Sequence, residues 1–138
     1  MKYLLDTCVL SESRRTSINP GLRKWLSAIP NAALFISVLS IGEIRNGIER
    51  LTDSERKGQL VLWLEYELTS WFEDRILPLD FDTLNCWGEL CAHYRTLPAI
   101  DSLLAATAIH RRLTLVTRNV KDFCDIEELQ LLNPWDDN

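Results

Sequence analysis

Lys2-Tyr3-Leu4-Leu5-Asp6-Thr7 opens the chain with a short apolar run that ends on a carboxylate. The run does not alternate with polar residues, so it reads as a strand buried on both faces. Working outward, Ala33–Ile36, Arg75–Leu79 and Leu113–Thr117 repeat the pattern, and Leu129–Leu132 offers a fifth strand. Helical spacing fills the gaps. Asn19-Pro20-Gly21 reads as a turn before a helix with Leu22, Trp25, Leu26 and Ile29 on one face. Ser37 starts a helix carrying Val38, Ile41, Ile44 and Ile48. Thr52-Asp53-Ser54 caps another that runs to about Trp71, with Leu60, Leu64 and Leu68 in one row. Phe81–Arg95 is amphipathic, with Leu84, Trp87, Leu90, Cys91 and Tyr94 directed inward. Asp101–Arg111 is apolar nearly all round, the mark of a buried helix. Strands alternating with helices predict an α/β fold whose parallel sheet of four to five strands is covered by helices on both faces.

The chain has 138 residues, which predicts one domain over 1–138 with a core that needs no disulfide or metal staple. With 46% hydrophobic and 25% charged residues, only five Gly and five Pro, and no low-complexity run, disorder and collagen-like structure are excluded. The longest uncharged stretch, Trp25–Gly42, has 18 residues but is broken by Pro30, Asn31 and three serines, short of the roughly 20 predominantly apolar residues that span a bilayer. The N-terminal apolar run is too short for a signal peptide, so a cytoplasmic protein is expected. Cys8, Cys86, Cys91 and Cys124 show no paired or zinc-type spacing and read as reduced thiols.

The formal net charge of −5 argues against a bulk polyanion binder. The charge is uneven: residues 1–69 hold nine basic and eight acidic side chains, residues 70–138 six and twelve. A negative chain can still take a nucleic acid if divalent metal covers some of its acids.

Ligands of open parallel sheets sit beyond the carboxyl ends of the strands. Asp6 directly follows the first strand. Glu43 lies in the helix after the second. Asp101 opens the buried helix, and Asn119 and Asp122 follow the fourth strand. Right-handed crossovers bring these positions to one edge of the sheet. Taken singly, Asp6 and Asp101 read equally well as helix caps, and Ser40-Ile41-Gly42-Glu43 has capping-box spacing. Because Ser37 is the better helix start, Glu43 falls inside the helix, where a carboxylate needs a partner. Three acids at one edge repel, by about 4 kcal/mol for a pair about 4 Å apart at an effective dielectric of 20. A cation resolves the repulsion, and an all-oxygen set suits Mg²⁺ or Mn²⁺.

Tyr3-Leu4-Leu5-Asp6-Thr7, Ser37-Val38-Leu39-Ser40-Ile41-Gly42-Glu43-Ile44, Leu97-Pro98-Ala99-Ile100-Asp101-Ser102-Leu103-Leu104-Ala105-Ala106-Thr107-Ala108 and Leu115-Val116-Thr117-Arg118-Asn119, in this order, resemble the PIN-domain family. Within it the chain is similar to the VapC-type and FitB-type toxins of bacterial toxin–antitoxin pairs. Asn133-Pro134-Trp135 also resembles the FitB group. The resemblance implies a three-layer α/β/α sandwich and a Mg²⁺- or Mn²⁺-dependent endoribonuclease. It also implies a homodimer, silenced by a cognate antitoxin through which alone it reaches operator DNA. Asp6, Glu43 and Asp101 fall on the family's acidic site, as catalytic and metal-holding residues. Cys8 replaces the Asn common after Asp-Thr. Asn119 stands where many members carry a fourth Asp, so a second metal is in question, and Asp122 is the other candidate for the fourth donor. Transfer RNA is the substrate the resemblance suggests. A non-catalytic module, acting with its antitoxin as a repressor on DNA, is the competing reading, and the intact acid triad argues against it.

Two further expectations concern surfaces. Arg14, Arg15, Arg45 and Arg50 are candidates for RNA phosphate contacts. Trp63, Trp71 and Trp87 are candidates for a groove that accepts an antitoxin helix, with core packing as the alternative.

Overall fold

The computed structural model describes residues 1–136. Among them, β1 (Tyr3–Leu5), β2 (Leu34–Ser37), β3 (Ile76–Leu77), β4 (Thr114–Val116) and β5 (Leu131–Leu132) form one sheet. It is parallel throughout, in the order β3-β2-β1-β4-β5. The register sets Leu4 between Phe35 and Leu115, and Leu5 beside Val116.

Side chains alternate across the sheet with the period of two that strands impose. Leu5, Leu34, Ile36 and Val116 face one core, built with α1 (Thr7–Ser13), α2 (Pro20–Ala28), α3 (Val38–Glu49) and the helical segment 55–72. Leu4 and Leu115 face the other, built with α6 (Phe81–His93) and α7 (Ala99–Arg111). The chain steps outward from β1 to β3 with its helices on the first face. It then crosses back over β1 to β4, and right-handed crossovers place the returning helices on the second face. The three-layer α/β/α sandwich expected from the sequence is the one observed, with five strands.

Several local readings need correction. Asn19-Pro20-Gly21 is the start of α2 rather than a turn: Asn19 caps it by accepting from Leu22 N at 3.2 Å, and Pro20 takes the first helical position, where its missing N–H is not needed. The helix over 55–72 is not one regular rod. Ser54 caps α4 (Glu55–Leu62), a wide π turn follows over Trp63–Leu68, and α5 (Thr69–Phe72) completes it. The wide turn brings Trp63, Leu64 and Leu68 to the core together, beyond what a strict i, i+4 row provides. On α6, Leu84 is exposed instead of buried, and Phe81 at the start of the helix is 81% exposed. Helix α7 begins at Ala99, so Asp101 sits in its first turn and does not open it.

Candidate active site

Asp6 caps α1 and is also a candidate site residue. Its Oδ1 accepts from Thr7 N at 2.7 Å and starts α1. Its Oδ2 accepts from the Thr117 hydroxyl at 2.7 Å. Thr117 follows β4 directly and is fully buried. The two residues meet where the strand order reverses, between β1 and β4, the usual ligand crevice of an open parallel sheet.

Glu43 finds the partner that its place inside α3 demands. The Thr7 hydroxyl donates to Glu43 Oε1 at 2.6 Å and lies 2.9 Å from the hydroxyl of buried Ser40. The capping-box reading therefore fails: Ser37 caps α3 by accepting from Leu39 N at 3.0 Å, and Ser40 lies within the helix. Helix α7 runs antiparallel to the strands, which carries Asp101 in its first turn to the same edge. Its side chain makes no cap, so the carboxylate is available to the site. Burial pushes the Asp101 carboxyl above the usual range, and the charges of Asp6, Asp122 and Glu43 push it further.

Asn119 and Asp122 follow β4. Asn119 N donates to Thr117 Oγ1 at 3.1 Å, which ties this turn to Asp6 through one hydroxyl. Cys8 stands 3.8 Å from both Asp6 Oδ2 and Thr117 Oγ1, with its thiol held high chiefly by burial. Thr7, Ser40 and Thr117 are the residues that reading the sequence for charge missed. Thr117 had one signal, its place directly after an apolar strand.

A divalent cation is the group that the family resemblance implies. Asp6, Glu43, Asp101 and Asp122 offer only oxygen, and their mutual repulsion is felt at Asp101, so the donor chemistry fits a hard cation. Among the described residues no three His, Cys, Asp or Glu side chains are closed into a ready ligand cage.

The four arginines divide. Arg14 and Arg15 line a groove of about 290 Å³ that opens at Thr7 and Glu43 and continues past Ile44, Ile48, Arg56 and Leu60 to Trp63. Arg14 lies over the Trp63 ring at 5.3 Å. Arg45 is held by Glu49 at 3.2 Å and Glu65 at 3.4 Å, and Arg50 donates to Asn46 at 3.3 Å. The tryptophans divide too. Trp63 and Trp71 line a second cavity of about 500 Å³ beside Arg14 and Arg23, whereas Trp87 donates to Ser102 Oγ at 2.9 Å between α6 and α7.

The all-parallel α/β/α sandwich, with candidate site carboxylates near its switch point, defines the class of protein: an open parallel α/β fold of PIN-like topology. The chain belongs to the PIN-domain family, whose model matches residues 3–129 under the description PIN domain. It is 30% identical to Toxin FitB of Neisseria gonorrhoeae (strain ATCC 700825 / FA 1090), over 97% of this chain and 99% of that one. It is 27% identical to VapC ribonuclease Y4jK of Sinorhizobium fredii (strain NBRC 101917 / NGR234), over 96% and 97%. A solved structure of FitAB bound to an IR36 DNA fragment superposes with a TM-score of 0.89 at 28% identity, covering 97% of this chain and 96% of that one.

Proposed function

We propose that the chain is the toxin of a toxin–antitoxin pair, a divalent-metal-dependent endoribonuclease held inactive by its cognate antitoxin. One observation carries the reading: the charges of Asp6, Asp122 and Glu43, from three other parts of the chain, all act on Asp101. The likeness to a protein named a toxin and to one named a ribonuclease supports it. Asp6, Glu43 and Asp101 would hold Mg²⁺ (or Mn²⁺), with Asn119 or Asp122 as the fourth oxygen donor. When bound, the cation would supply Lewis-acid polarisation of a phosphodiester and lower the pKa of an attacking water. Thr117 and Thr7 fix the orientations of Asp6 and Glu43 by donating to them. RNA, with transfer RNA the first candidate, would approach along the groove of Arg14 and Arg15, and cutting would leave 5′-phosphate and 3′-hydroxyl ends. The protein would act in the cytoplasm as a homodimer. No helix among the described residues is long and apolar enough to cross a membrane.

The test is cleavage of bulk RNA by the purified chain with and without Mg²⁺, with sequencing of the cut ends. Asp6→Ala should remove both cleavage and growth inhibition by the chain expressed alone. The DNA-bound FitAB structure favours a second reading, in which the chain serves only as part of a repressor complex on operator DNA. That reading is preferred if Asp6→Ala leaves growth inhibition and RNA cutting as they were.

A further inference from the structure

The groove that opens at Thr7 and Glu43 has two unlike walls. Thr7 and Ser11, one turn apart on α1, and Arg14 and Arg15 just past its end make one of them polar. Ile44, Gly47 and Ile48 of α3, with Leu51 just beyond, make another apolar. Leu51 is 39% exposed, so this wall keeps apolar surface in water. Leu60 of α4 and the Trp63 ring line the far part. Gly47 sets the room between them. Glycine inside a helix is among the least favourable residues there. A Cβ added to Gly47 meets nothing within 4 Å, so no packing contact requires the missing side chain. What its absence leaves is space in the groove.

Charge and position name the occupant. Arg14, Arg15 and Arg56 line the groove, and Glu43 at its mouth is the one acid among the described lining residues. Arg15 pairs with Glu12 at 3.2 Å, whereas Arg14 and Arg56 pair with no carboxylate among the described residues. Three cations favour a polyanion, and the apolar wall favours a flat ring laid against it. An unpaired nucleotide offers both, with phosphate outside and base inside. Single strands are held in this way, by a cationic track with base faces against side chains. A duplex offers no free base face. A peptide with an acidic edge would match the cations too, but the mouth of the groove is Glu43, where the proposed reaction needs a phosphodiester.

We propose that this groove is a base subsite: it takes the base of one unpaired nucleotide adjoining the scissile phosphate, against the wall of Ile48, Leu51 and Leu60, while Arg14 and Arg56 take phosphates of the same strand. The proposal rests on the ribonuclease reading above and adds to it a requirement for an unpaired base beside the cut. Gly47 is a specificity-determining residue here, and it acts through the side chain it lacks.

The experiment uses a short RNA spanning a mapped cut, and the same RNA made abasic at each position flanking that cut. Cleavage kinetics and melting temperatures are measured for the wild type, Gly47→Ala, Gly47→Leu and Arg56→Gln. In the wild type, one abasic position should lower kcat/KM about tenfold, the scale of one lost base contact. Gly47→Leu fills the groove. It should melt no lower than the wild type, cut the intact RNA about tenfold less well, and cut that abasic RNA as the wild type does, because neither then uses the groove. Gly47→Ala should fall between the two, and it carries the same comparison if the leucine variant does not fold. Arg56→Gln should lower the slope of log K against log salt by about 0.7, the share of one phosphate contact on a single strand, and keep the abasic effect. A wild type that cuts intact and abasic RNAs equally overturns the proposal while leaving the ribonuclease reading intact. So does a folded Gly47→Leu protein that cuts both as the wild type does or loses the same factor on both, and the groove is then left to a peptide partner. A wild type that cuts no RNA overturns both readings.

Discussion

Thr117 Oγ1 donates to Asp6 Oδ2 across 2.7 Å, joining two residues 111 positions apart in the chain. That bond closes the switch point: it fixes one oxygen of Asp6 while Thr7 N fixes the other. Thr117→Val keeps the branched shape and removes the donor. It should cost about 1 kcal/mol of stability, yet lower metal affinity or cleavage by about 10- to 100-fold, as loss of a partner behind a ligand usually does. Melting curves and cleavage rates measured on the same preparation check it. Equal activity would mean that Asp6 needs no orienting group.

Thr7 plays the same part for Glu43 at 2.6 Å. Thr7→Val should leave Glu43 exposed and mobile and weaken Mg²⁺ binding, whereas Thr7→Ser should behave as wild type because the hydroxyl is retained. Calorimetric titration with Mg²⁺ reads both. A serine variant as poor as the valine one would point to packing instead.

Burial, and then the charges of Asp6, Asp122 and Glu43, push the Asp101 carboxyl above its usual range. Mg²⁺ should therefore raise the stability of the wild type, by about 2.7 kcal/mol at a hundredfold excess over its dissociation constant. Asp101→Asn should abolish cleavage and shrink that shift. The metal-free variant should be no less stable than wild type, because Asp101 makes no cap hydrogen bond that would be lost. Thermal melts with and without Mg²⁺ decide the matter, and an identical metal shift in the two proteins would remove Asp101 from the site.

Asp80 caps α6 by accepting from Thr83 N at 2.9 Å and pairs with Arg111 at 3.0 Å. The hydrogen bonds from Thr83, and then Arg111, hold its carboxyl below the ordinary range. A depressed folded-state pKa means that the contribution is complete above the unfolded value and is lost as pH falls through the folded one. The stability gap between wild type and Asp80→Asn should thus be full at neutral pH and close in acid, below the usual carboxylate range. Denaturant titrations at a series of pH values test this, and a gap independent of pH would show that the charge contributes nothing.

Two helical glycines should respond oppositely to one methyl group. Gly88 in α6 has nothing within 4 Å of its added Cβ, so Gly88→Ala should stabilise by about 0.5–1 kcal/mol. Gly21→Ala drives a Cβ into the backbone of Pro134 and Asp136 and should destabilise the protein or release the 134–136 segment. Paired melting temperatures check it, and a stabilised Gly21→Ala protein would show that this segment is held loosely.

Apolar runs and their spacing were enough to determine the parallel α/β sandwich, because a strand buried on both faces and a helix buried on one leave different periods in the sequence. The order of strands and helices, with the single hand of crossover, also determined which edge would gather Asp6, Glu43 and Asp101. Short-range competition hid the rest. Asn19-Pro20-Gly21 carries turn chemistry, but Asn19 caps a helix because Asp136, far along the chain, holds its side chain from the other side. The wide turn at Trp63 and the outward Leu84 answer to packing partners that local periodicity cannot name. The hydroxyls of Thr7 and Thr117 carry no charge and no motif of their own, so they stood out only when folding brought each within hydrogen-bond distance of its carboxylate. Arg118 resembles any loop arginine in the sequence. Tertiary structure alone put the buried ring of Trp135, from the end of the chain, beneath it, because the direction of a flexible side chain is set by what packs against it.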